Sequence, residues 1–169
     1  MTRYFKRIKE KLGDKKGMTT LEIAISALII IVALTGFIDM VKVSQKLDTA
    51  SSITGYVGRV VANQGGVRTT APKHQYGNYV TSEQLYREVK TILENGGVKE
   101  ADFKLYVDGK RMKEGTNIPL KDFGERIPVK LAVTYKWELI SSATGIDMKN
   151  TKESNRTVVS SFKVRSATK

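Results

Sequence analysis

The chain has 169 residues, no cysteine and a formal net charge of +12. Without cysteine it can form neither disulfides nor thiolate metal sites, and it cannot carry a lipobox. The length leaves room for one modest folded domain once any targeting or membrane segment is set aside.

The basic excess is unevenly spread. Residues 1–17 carry seven Lys or Arg against two acids, a net +5. Such a block beside an apolar span holds its flank in the cytoplasm by the positive-inside rule, so the rest of the chain is expected outside. The apolar span follows at once: Met18-Thr19-Thr20-Leu21-Glu22 runs into Ile23-Ala24-Ile25-Ser26-Ala27-Leu28-Ile29-Ile30-Ile31-Val32-Ala33-Leu34. Residues 23–38 are uncharged, but at about 1.5 Å per residue they reach only ~24 Å, short of a ~30 Å hydrocarbon core. Starting at Met18 gives about 31 Å, so the expected membrane segment is 18–38, with Glu22 inside it or at its edge. A charge in such a helix costs on the order of 2.5–3.5 kcal/mol on insertion scales and calls for a partner or a job. An ordinary secretory signal fits less well. Its apolar region is shorter and its cleavage site follows small residues, which only Ser26-Ala27 and Thr35-Gly36 mimic here.

Beyond the span, Met40, Val43, Leu47, Ala50, Thr54, Val57 and Val61 recur at spacings of three and four among polar residues. This predicts an amphipathic continuation over 39–64, stopped at Asn63-Gln64-Gly65-Gly66. The whole helix, Thr19 to Ala62, would be about 66 Å long. Gly55 and Gly58 weaken its last turns by about 1 kcal/mol each and mark close packing or a slight bend. Residues 63–78 read as a polar loop with Pro72, His74 and Gly77. Thr81 or Ser82 then caps a short helix, Glu83 to Glu94, whose apolar side is Leu85, Val89, Ile92 and Leu93.

After Asn95-Gly96-Gly97 the period changes to two. Phe103, Leu105 and Val107 alternate before the turn Asp108-Gly109-Lys110, which predicts a hairpin into Arg111-Met112-Lys113. Ile127, Val129, Leu131, Val133, Tyr135 and Trp137 make the clearest strand. Tyr135 and Trp137 share its apolar face and are expected in the core, so that Trp137→Ala would cost about 3–5 kcal/mol. A polar stretch, Ser141 to Asn155, precedes a last strand, Thr157 to Val164, returning antiparallel. The expected class is α+β: a long N-terminal helix, membrane-embedded then amphipathic, carrying a small antiparallel sheet head over 65–169 with one short extra helix.

The Gly17-Met18 junction carries the first candidate chemistry. A membrane-embedded peptidase cutting there needs a small residue before the bond and a basic flank, and both are present. The cut would leave Met18 as an amino terminus four residues before Glu22, on the same helix face. An ammonium and a carboxylate in apolar surroundings attract strongly but are costly to desolvate, so an intermolecular pair would set the register of packed subunits.

Lys15-Lys16-Gly17-Met18-Thr19-Thr20-Leu21-Glu22 with the apolar run resembles the class III signal of type IV pilins and pseudopilins. The resemblance implies cleavage after Gly17 by a prepilin peptidase and methylation of the new terminus, Met18. It implies that Glu22, fifth in the mature chain, neutralises the terminus of a neighbouring pilin or pseudopilin subunit, with assembly on an inner platform. Met18 stands where phenylalanine is commoner in that family. Thr20-Leu21-Glu22-Ile23-Ala24, the stretch Val60 to Gly65 and the strands Ile127 to Trp137 and Val158 to Arg165 are similar to TadE-like minor pseudopilins. The family's helix often unwinds partly at a proline; none occurs here before Pro72, so Gly36 would have to serve.

The implied product is a single-pass membrane protein with a cytoplasmic N-terminus, surface-exposed after assembly into a pilus or a secretion or conjugation pseudopilus. The alternative is an uncleaved single-span anchor in a secretion or conjugation channel. Nothing in the sequence points to an enzyme or a cofactor. The lone His74 lies in a loop, the head's carboxylates lack metal-ligand spacing, and the glycine pairs close helices rather than cradle phosphate. Arg68, Lys73 and Arg87, with His74, Tyr76, Tyr79 and Tyr86, mix cations with aromatic faces and make DNA a further candidate partner beside membrane lipid.

Overall fold

A computed structural model describes residues 15–71 and 79–163, without the side chains of 15–18. Most of the leader, the loop residues Pro72 to Asn78 with Lys73, His74 and Tyr76, and the tail from Val164, with Arg165, lie outside the described residues. In chain order the elements are α1 (Lys15–Gln64), α2 (Ser82–Asn95), a 3₁₀ turn (Glu100–Asp102), β1 (Phe103–Val107), β2 (Lys110–Arg111), β3 (Arg126–Lys136), α3 (Glu138–Thr144) and β4 (Lys149–Val159). The layout is α+β, with a long N-terminal helix, one small antiparallel sheet and further short helices. Two compact units divide it: Met1–Val41 with Trp137–Met148, and Lys42–Lys136 with Lys149–Lys169.

In the first unit α1 passes unbroken through Gly36, so that residue does not unwind it. With no proline in α1, every interior N–H keeps its helical partner. All eleven large apolar side chains from Leu21 to Ile38 are exposed. At roughly 1.5–3 kcal/mol per side chain, leaving this run in water forgoes on the order of 20 kcal/mol. By length and composition the helix can cross a membrane.

The other segment of this unit, Trp137–Met148, corrects two expectations. The strand alternation does not run through Trp137: β3 ends at Lys136, and Trp137 N–H donates to Met148 O at 3.0 Å, closing a loop that contains α3. Trp137 and Tyr135 are half-buried and outside the buried core cluster, so the predicted 3–5 kcal/mol cost of Trp137→Ala does not apply. The supposed polar connection from Ser141 to Asn155 is in fact the end of α3, a turn at Gly145 and most of β4.

In the second unit the sheet order is β2-β1-β3-β4, antiparallel throughout. Ile127, Val129, Leu131 and Val133 of β3 are buried on one face, beside Phe103, Leu105 and Val107 of β1. Against them pack Ala50, Ile53, Val57 and Val61 of α1 and Leu85, Val89 and Leu93 of α2, forming one core. Two residues of the predicted stripe behave otherwise: Met40 is exposed and Leu47 half-buried, while Ile53 is buried.

Local chemistry accounts for the element ends. Thr81 caps α2, its Oγ1 accepting from Gln84 N–H while Gln84 Oε1 accepts from Thr81 N–H, a reciprocal capping box. The β1–β2 turn places Asp108 and Gly109 both at positive φ, as a two-residue hairpin requires. Met112 and Lys113 fall outside β2, which is only two residues long. β4 starts eight residues before the predicted strand and ends at Val159, not Val164. It is an edge strand with an almost fully exposed, charged sequence, and its full pairing from Arg126↔Val159 to Lys136↔Lys149 holds it in place. A charged edge of this kind resists adding further strands.

Candidate functional site

Glu22 is exposed in α1, flanked by Leu21 and Ile23, and has no ion-pair partner among the described residues. The backbone at Gly17 and Met18 is helical, which puts Met18 and Glu22 one turn apart on one face. In an uncut chain Met18 has no free amine to offer. Cleavage after Gly17 would create a cation one helical turn from the Glu22 carboxylate.

A second carboxylate, which sequence reasoning passed over, is held quite differently. Asp39 is only 2 % exposed, and its Oδ2 accepts from Leu139 N–H and Ile140 N–H, each at 2.9 Å. Trp137 stands at the N-cap of α3 and supplies no side-chain bond, so Asp39 satisfies those orphan donors from a hundred residues away. A carboxylate at a helix N-terminus is favoured by the helix dipole as well as by the hydrogen bonds. One turn earlier, the side chain of Ile140 covers Gly36, where a Cβ would meet Ile140 Cδ1 at 3.6 Å. The available signal was Asp39's position four residues before Val43, on the buried stripe.

The residues proposed for nucleic acid divide. Lys73 lies outside the described residues. Arg68 is exposed and its backbone N–H donates to Tyr79 Oη at 2.8 Å. Arg87 is exposed on α2 and helps line an open groove of about 400 Å³ with Tyr56, Gln84, Glu88, Thr91 and Ile92. Tyr86 is turned into the core, its ring 6.1 Å from Phe103 and its hydroxyl donating to Glu100, so it cannot serve as a stacking platform. In the groove Tyr56 Oη hydrogen-bonds Glu88 Oε2 and joins α1 to α2. Burial, then the hydrogen bond and charge of Glu88, push the Tyr56 hydroxyl up to about 12. No three metal-ligating side chains converge among the described residues.

Comparison with protein-family models, with curated proteins and with solved structures gave no significant match.

Proposed function

We propose that the chain is the precursor of a type IV pilin-like minor pseudopilin, processed after Gly17 and assembled into, or priming, a pilus or a secretion or conjugation pseudopilus. The observation that carries this reading is α1 itself. An unbroken helix bears an apolar run whose large side chains, Leu21 to Ile38, are all exposed, with one carboxylate among them, Glu22, in the fifth position from Met18. The same helix continues into a half that packs under an antiparallel sheet.

In this reading the apolar run stores the subunit in the membrane and later lies among the helices of its neighbours. Exchanging lipid for helix contacts is nearly neutral in hydrophobic terms, so packing and the Met18 amine–Glu22 pair supply the specificity. A prepilin peptidase supplies the amine, and the assembly platform brings the subunits together. The chain itself assembles and does not catalyse.

The test is Glu22→Ala in the native host. Expression and membrane insertion should match the wild type, while incorporation into filaments or crosslinked multimers falls at least tenfold. Glu22→Gln, which keeps the shape and loses the charge, should fall with it. Normal incorporation of both variants would contradict the proposal and favour the uncut single-span anchor.

A further inference from the structure

We infer that Trp137–Met148 is a second membrane contact, lying at the boundary between headgroups and acyl chains of the bilayer that α1 crosses. This rests on the reading of residues 18–38 as a membrane span. The occupant of the exposed apolar surface in this unit is therefore phospholipid.

Three observations carry the inference. The first is depth. Leu28 is the midpoint of 18–38, and Asp39 lies about 16 Å further along the helix, at the edge of a hydrocarbon core whose half-thickness is about 15 Å. The two hydrogen bonds from Leu139 and Ile140 fasten the loop to α1 at that level, and Ile140 reaches one turn deeper, over Gly36.

The second is surface chemistry. Ile146 is 63 % exposed, Met148 41 % and Phe37 66 %, apolar side chains in the same unit as the exposed run of α1. Trp137 begins the same loop, and tryptophan is enriched at membrane–water interfaces because its ring is apolar and its N–H polar.

The third is polar satisfaction, without which backbone cannot enter an interface cheaply. Trp137 N–H bonds Met148 O, Gly145 N–H bonds Ser141 O, and Met148 N–H bonds Ser141 Oγ. Ser142 and Thr144 return their hydroxyls to the carbonyls of Glu138 and Ile140. The loop thus satisfies these hydrogen-bonding groups within itself, while the side chains of Ile146 and Met148 remain exposed.

Because Trp137 is the sole tryptophan of the chain, its fluorescence reports this loop alone. The full chain is reconstituted into phosphatidylcholine–phosphatidylglycerol vesicles carrying bromines either high or low on the acyl chains. Trp137 emission should be quenched at least twofold more by the shallow bromines than by the deep ones. In a Trp137→Phe background, Ile30→Trp should show the opposite order.

Asp39→Ala should at least halve the quenching of Trp137. In the Trp137→Phe, Ile30→Trp background the same change should leave the quenching of the mid-span tryptophan as it was. Asp39→Asn, which keeps one acceptor oxygen, should lie between. If the mid-span tryptophan is quenched and Trp137 is not, the loop proposal fails and the span stands. If the mid-span tryptophan is unquenched, the span reading fails and takes the loop with it. Shielding of Trp137 that grows with the protein-to-lipid ratio would make the occupant a second copy of the chain and overturn the proposal.

Discussion

Glu22 and Asp39 are carboxylates on one helix with opposite circumstances. Glu22 is exposed and unpaired among the described residues, whereas Asp39 is buried and spent on two backbone donors. An unpaired charge in an apolar run is what an intermolecular role requires; a satisfied one serves the fold of its own chain. Tyr56 shows the same contrast through pH. Its hydroxyl is raised from 10.0 to about 12, so the folded state holds this proton more tightly than the unfolded chain does. The contribution is complete below pH 10 and is lost as pH rises through the folded value. Tyr56→Phe should cost about 1 kcal/mol near neutral pH. Denaturant midpoints measured upward from pH 9 should then fall less steeply for the variant than for the wild type. Parallel decline in the two proteins would show that the Tyr56–Glu88 bond does not couple to folding.

At the scale of elements, the close approach of α1 to β4 decides what two neighbouring glycines tolerate. A Cβ at Gly58 would lie 2.9 Å from Val158 Cγ1 and 3.3 Å from Arg156 Cδ, whereas one at Gly55 meets only the end of the Arg156 side chain at 3.6 Å. Gly58→Val should destabilise by about 1–3 kcal/mol through overpacking. Gly55→Ala should be neutral or stabilise by up to about 1 kcal/mol from helix propensity. Equal effects in denaturant titrations would refute the packing argument. The same contacts explain which elements were legible in the sequence. α2 announces itself by Thr81, Gln84 and an apolar stripe, and the β1–β2 turn by Asp108-Gly109, because each is a local rule satisfied by adjacent residues. β4 is not legible over Lys149 to Arg156, since its pairing comes from β3 and its exposed edge selects charge instead of alternation. Trp137 continues the odd-numbered face of β3 by parity alone, but it stands at the N-cap of α3, and the strand ends one residue sooner. The role of Asp39 needs the N-terminus of α3, which no window around residue 39 contains.

For the whole molecule, the apolar run of α1 is the dominant physical fact, because its eleven exposed large side chains demand a nonaqueous environment before and after any assembly. In the proposed function, lipid would meet that demand for a single subunit and neighbouring helices would meet it in a filament. The long helix, strands β1 and β3 and the membrane-compatible run were legible from hydrophobic period, and Gly17, Met18 and Glu22 stood out as candidates by a glycine and a carboxylate beside the apolar run. The roles proposed for those three residues involve a second protein, which no intrachain contact can reveal. The measurement that tests the account most directly is intact mass with N-terminal sequencing of the protein from membranes with and without a prepilin peptidase. The account predicts a chain that starts at Met18, carries one added methyl group, and appears only with the peptidase. A chain that keeps residues 1–17 in its presence would contradict the account and reduce Gly17 and Glu22 to boundary residues of an uncut anchor.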